Sequence, residues 1–143
     1  MSRYPDVSIQ RIATVETDRF EHREVQPHFI NPCCFGEDFA AWLRGELLDL
    51  EEQGFEITAP IQEVYGWGLW SSRGRATFWL ALSFVGDGPT ADPGRWVVAL
   101  EHSTGLLARL LGRRDEQGAA VLKARVAAIL QSSHGINLLE GAV

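Results

Sequence analysis

From Gly36 onward, apolar residues recur at helical spacing. Phe39, Trp42, Leu43, Leu47 and Leu50 share one stripe, while Glu46, Asp49, Glu51 and Glu52 lie largely off it. Glu37 and Asp38 in the first turn suit the positive end of a helix dipole, and Gly54 supplies a stop. The pattern then changes to aromatic and β-branched runs, which predict strands at about residues 65–71, 75–85 and 95–102. Arg73-Gly74 is predicted to turn the first hairpin, and the turn-rich stretch 86–94, GDGPTADPG, to form a longer, mobile connection.

Ser103 or Thr104 is placed to cap a short helix that carries Leu106, Leu107, Leu110 and Leu111 and ends at Gly112. A second helix is predicted over residues 115–132, with Leu122, Val126, Ile129 and Leu130 inward, followed by a strand over 136–140. Ahead of these, residues 20–26 are the best strand candidate, ended by Pro27. Helix, antiparallel strands and helix predict an α+β fold: a two-layer sandwich with two main helices on one face of an antiparallel sheet. The chain carries no repeat or long linker, so residues 1–143 are expected to form one domain with a flexible N-terminal end.

The stretch EVYGWGLW, residues 63–70, acquires a meaning from that sheet. If Arg73-Gly74 is a two-residue turn, Ser72 pairs with Arg75, and Leu69, Trp67 and Tyr65 meet Phe78, Leu80 and Leu82 on the core face. Gly66, Gly68 and Trp70 then share the opposite face with Thr77, Trp79, Ala81 and Ser83, and Gly68 stands across from Trp79. One reading is structural, a cross-strand indole filling the space a strand glycine leaves. Another is functional, with Trp70 and Trp79 above small neighbours forming a shallow groove for a partner. Burial of that face under the N-terminal segment is the third.

Composition narrows the choice. A length of 143 residues is enough for an unstapled core, and a formal net charge of −6 opposes nucleic-acid binding while leaving a basic protein partner open. No apolar run is long enough to span a bilayer and the N-terminus lacks a signal-peptide core, so no membrane association and a cytoplasmic location are expected. The adjacent Cys33 and Cys34 cannot readily pair with each other and are expected to be free, buried thiols.

The remaining candidates for chemistry are sparse. His22 and His28 with Glu21 and Glu24 lack metal-ligand spacing, so neither a metal nor any other cofactor is expected. In EHSTG, residues 101–105, strand alternation sends His102 and Ser103 to opposite faces, which opposes a nucleophile–base pair. Arg109, Arg113, Arg114, Lys123 and Arg125 form a basic cluster that reads as solvated charge near helix ends.

The run NPCCFGEDFAAWLRGELLDLEEQGFE followed by EVYGWGLW resembles a family of small bacterial proteins of unknown role. In that family an Asn-x-Cys-x-Phe-Gly-Asp-Asp-Leu run leads into a Trp-Leu helix, and a Glu-Asp-Trp-Gly-Trp strand follows. Asn31, Cys33, Phe35, Gly36, Asp38, Trp42, Leu43, Glu63, Gly66 and Trp67 fit, whereas Val64 and Tyr65 replace the Asp-Trp pair. The resemblance implies a compact α+β domain, and more loosely an immunity protein that neutralises a toxin. The leading expectation is a non-catalytic protein-binding module that uses Trp70, Trp79, Gly68 and Thr77 on the outer sheet face. The alternatives are a small-molecule binder or enzyme with a pocket at Glu63, Tyr65 and Trp67, and a homodimer joined through the outer face.

Overall fold

A computed structural model describes residues 7–32, 34–85 and 94–140. It is an α+β protein in which one antiparallel sheet carries its main helices on a single face. The strands are β1 (Val7–Thr17), β2 (Phe55–Ile57), β3 (Ile61–Glu63), β4 (Gly66–Arg73), β5 (Ala76–Phe84), β6 (Gly94–Ser103) and β7 (Asn137–Glu140), and the helices are α1 (Glu37–Leu47), α2 (Leu106–Leu110) and α3 (Glu116–Ser132). The sheet runs β2-β4-β5-β6-β1-β7, with β3 also pairing β4. Among the described residues, no helix is long and apolar enough to cross a membrane.

Helix α1 forms as its apolar stripe requires. Phe39, Ala40, Leu43 and Leu47 are buried, and a 3-10 turn, Leu48–Gln53, carries the chain to Gly54, whose left-handed φ of 88° ends the run. In α3 the inward residues Leu122, Val126, Ile129 and Leu130 are all buried, and Asp115 caps its start by accepting from the Gly118 amide at 2.8 Å. The core between helices and sheet is lined from the sheet by Trp67, Leu69, Phe78, Leu80, Leu82, Trp96, Val98 and Leu100.

The β4–β5 register differs from the expected one by two residues. Arg73 pairs with Ala76, so the loop residues are Gly74 and Arg75, and Leu69 lies opposite Leu80, Trp67 opposite Leu82 and Trp70 opposite Trp79. The first loop position of such a hairpin needs φ above zero, and Gly74 takes it at 60°. A slip of two preserves the faces of a pleated strand, so nearly every inward and outward assignment survives.

Tyr65 is the exception. Expected inside opposite Leu82, it sits with Val64 in the two-residue turn between the paired Glu63 and Gly66, and is 44 % exposed. Gly66 redirects the chain at φ 154°, where an added Cβ would collide with the Leu82 carbonyl.

The first strand was expected at residues 20–26, and the structure places it earlier, over Val7–Thr17. A bulge at Ile12 hid it: Ala13 pairs with Val98 while Arg11 pairs with Ala99, so the inward phase changes midway and strict alternation is lost. Residues 20–26 instead form a loop. The Glu21 carboxylate accepts from the Arg23 and Glu24 amides, and the Phe20 ring stacks on Phe39 with centroids 4.2 Å apart. The expected cap at Ser103 or Thr104 is also absent, since α2 starts after Gly105 without a side-chain cap. Cys33 and most of the 86–94 connection lie outside the described residues.

Candidate functional site

The sheet face opposite α1 and α3 carries a shallow aromatic groove built around Trp79. This indole is 6 % exposed although it sits on the outer face. Its ring lies over Gly68, diagonal to it across the hairpin, so closely that a Cβ on Gly68 would overlap the ring. Trp70, directly opposite, packs beside it with centroids 4.8 Å apart and planes inclined at 52°. From the other side the Tyr65 hydroxyl accepts a hydrogen bond from Trp79 Nε1 at 2.5 Å. The turn that removed Tyr65 from the core therefore delivers it to this site.

The edge beside Trp70 is held by an unusual exchange. Strands β2 and β3 pair with opposite ends of β4 and leave Trp70 between them. Thr58 fills the gap: its amide donates to the Trp70 carbonyl at 2.9 Å, and its Oγ1 accepts from the Trp70 amide at 3.1 Å. Trp70 thus keeps a satisfied backbone where the edge ladder is broken.

Two depressions flank Trp79. One, of about 220 Å³, has Tyr65, Trp79 and Ile9 as walls, Ala81 and Ala99 in its floor and Glu101 at its border. A smaller one, about 120 Å³, lies among Trp70, Thr77, Trp79 and Val7, again reaching Glu101. Small side chains make the floor low and large ones make the walls, which leaves space of about side-chain size with a largely apolar lining. Burial raises the Tyr65 phenol above its ordinary pKa, the Trp79 hydrogen bond opposes this, and the negative charges of Glu63 and Glu101 add to the rise. The phenol is therefore neutral near pH 7.

The structure brings Trp70, Trp79, Gly68 and Thr77 together as one surface. It does not bring together Glu63, Tyr65 and Trp67. Trp67 is buried on the helix side, where its Nε1 donates to the Cys34 carbonyl at 2.9 Å, while Tyr65 faces the other way and Glu63 is exposed at the edge. The sequence does not mark Ile9 and Glu101 as groove residues, because the bulge conceals the phase of β1 and because Glu101 reaches the groove only through the pairing of β6 with β5.

No family model, curated protein or solved structure matches the chain.

The residues that carry the family-like motif are placed as a structural clamp. Asn31 Nδ2 donates to the Val64 carbonyl at 2.5 Å, and the Cys34 thiol donates to the Glu63 and Gly66 carbonyls at 3.2 and 3.4 Å. Together with the Trp67–Cys34 bond, these tie the loop before α1 to the β3–β4 turn that presents Tyr65. Gly36 adopts φ 121° there, and an added Cβ would sit 3.3 Å from the Trp96 ring. Burial raises the pKa of the Cys34 thiol.

The other candidates separate. Buried His22 lies against the Phe20 carbonyl at 3.3 Å, while His28 pairs with Glu37 at 2.6 Å, and no metal-binding group occurs among the described residues. His102 points to the helix side and Glu101 to the groove. Of the basic cluster, Arg114 pairs with Glu116 and Arg125 with Asp49.

Proposed function

We propose that this chain is a non-catalytic binding module whose open sheet face receives an apolar side chain from a cationic segment of a protein partner. The observation that carries this reading is the aromatic-walled groove with the carboxylate of Glu101 at its border. The flat indole and phenol rings supply apolar contact area at low entropic cost, and buried aromatic anchors are the usual centres of protein interfaces. Glu101, neighbouring Glu63 and the formal net charge of −6 favour a basic partner and its electrostatically steered approach. The same acidity disfavours a homodimer through this face, which would set like charges together. An immunity-like role against a basic toxin is one form such a module takes, and the acidic border of the groove supports that form.

Selection of a random peptide display library on the purified protein tests the reading. Enriched peptides are expected to carry Lys or Arg beside a bulky apolar residue, and to bind Ala81→Arg at least ten times more weakly, because that substitution fills the groove floor and offsets the charge of Glu101. Enriched peptides that bind Ala81→Arg as well as the parent would overturn the assignment.

A further inference from the structure

Helix α2 buries none of its residues, although it carries Leu106, Leu107, Leu110 and, just beyond, Leu111. These leucines are 67 %, 62 %, 74 % and 41 % exposed. A surface helix ordinarily turns its apolar side to the core, and a contiguous exposed apolar patch on a soluble domain marks a contact. The helix is nevertheless well formed. Arg109 and Leu111 amides donate to the carbonyls of Gly105 and Leu107, and Gly112 ends the run at φ 72°. It is pinned at the β4–β5 turn, where Arg75 Nη1 donates to the Leu111 carbonyl at 3.5 Å.

Charge is concentrated around the same leucines. Arg75, Arg109, Arg113 and Arg114 gather around this helix, with Asp115 and Glu116 the acidic residues next along the chain, while Glu56 lies beyond Arg73 on the β2 side. Asp115 is taken by Arg73 and Glu116 by Arg114, while Arg109 and Arg113 are exposed with no ion pair among the described residues. A protein of formal net charge −6 therefore carries a local excess of positive charge around these leucines.

We propose that this leucine–arginine cap docks on the surface of an anionic lipid bilayer. The leucines enter the boundary between headgroups and acyl chains, and the arginines meet the lipid phosphates. This is interfacial association and requires no spanning helix. Two features select lipid over other occupants. Leu106, Leu107 and Leu110, each exposing roughly two-thirds of its surface, project outward, a shape suited to a deformable surface. A second copy docked patch to patch would set the two local excesses of positive charge against each other. The acidic remainder of the protein is repelled by the same bilayer and so orients the cap toward it.

Flotation with lipid vesicles tests the proposal, using the full chain in dilute salt. Wild type is expected to float with vesicles of mixed phosphatidylcholine and phosphatidylglycerol, not with phosphatidylcholine alone, and to be released as salt rises. The double variant Leu107→Ser/Leu110→Ser, which touches no buried position, should lose at least tenfold in apparent affinity. Arg109→Glu/Arg113→Glu should lose a similar amount, since each basic residue near such a surface contributes roughly fivefold. Unchanged circular dichroism and melting temperature confirm that both variants fold. Three outcomes would overturn the proposal: no flotation with anionic vesicles, equal flotation of the leucine variant, or a wild-type dimer in sedimentation that the leucine variant abolishes.

Discussion

The Trp79 indole occupies the space that the missing side chain of Gly68 leaves open, and it does so from the diagonal position, because Gly68 pairs directly with Ala81. A Cβ at Gly68 would meet the indole and, at 2.6 Å, the Leu80 carbonyl. Gly68→Ala should therefore cost about 1–3 kcal/mol through overpacking, measured by urea unfolding. In a Trp79→Ala background the ring conflict is gone and only the carbonyl contact remains, so the penalty should shrink by about 1 kcal/mol. Equal penalties in both backgrounds would show that the two residues are not coupled.

Arg73 and Asp115 join the β4–β5 hairpin to the start of α3 through two hydrogen bonds of 2.7 and 2.9 Å. The Asp115 carboxyl is held below its ordinary pKa, first by Arg73 and then by the Gly118 amide, against an opposing effect of burial. A depressed folded-state pKa contributes stability that is present above the unfolded value, about 3.9, and lost as pH falls through the folded one. Asp115→Asn should cost about 1–2 kcal/mol at pH 7, because a charged pair and a charged cap are weakened together. The cost should fade below about pH 4. Melting curves of both proteins at pH 7 and pH 3 check this, and a cost independent of pH would contradict it.

Tyr65 should titrate late. Its phenol lies above the usual value through burial and nearby acids, so stability is full below the unfolded pKa of about 10 and is lost as pH rises through the folded value. In tyrosinate absorbance, Tyr65→Phe should remove a component that titrates above the ordinary tyrosine value. The same variant leaves Trp79 Nε1 without its acceptor and should cost about 1 kcal/mol in stability.

The Cys34 thiol is fully buried, has a raised pKa and donates to two backbone carbonyls. In a Cys33→Ser background its labelling by a thiol reagent should follow unfolding and stay slow under native conditions. Rapid labelling of the folded protein would show that the clamp between the loop and the β3–β4 turn opens readily.

Period and spacing made the two-layer architecture, both main helices and the two faces of β4 and β5 legible. Faces were more robust than register: a glycine taking the first loop position moved the pairing by two, and a shift of two leaves every face unchanged. Where a single residue broke the period, the sequence misled. The bulge at Ile12 hid β1, and the turn at Val64-Tyr65 converted an apparent core tyrosine into a groove wall. Strands β2 and β3, three residues each, are too short to show a period at all. The outer surface of Trp70, Trp79, Gly68 and Thr77 was visible because it depends only on parity. Ile9 and Glu101 reach it through long-range pairing of β1 and β6, which no local pattern encodes.

Five tryptophans provide internal reporters for the groove, with Trp70 and Trp79 at it and Trp42, Trp67 and Trp96 on the helix side. The decisive measurement is the set of indole N–H resonances followed by nuclear magnetic resonance during titration with a selected cationic, apolar peptide. Shifts of the Trp70 and Trp79 signals, with the other three unmoved, are expected if the outer face is the binding surface. Saturable binding that leaves Trp70 and Trp79 unmoved would contradict it.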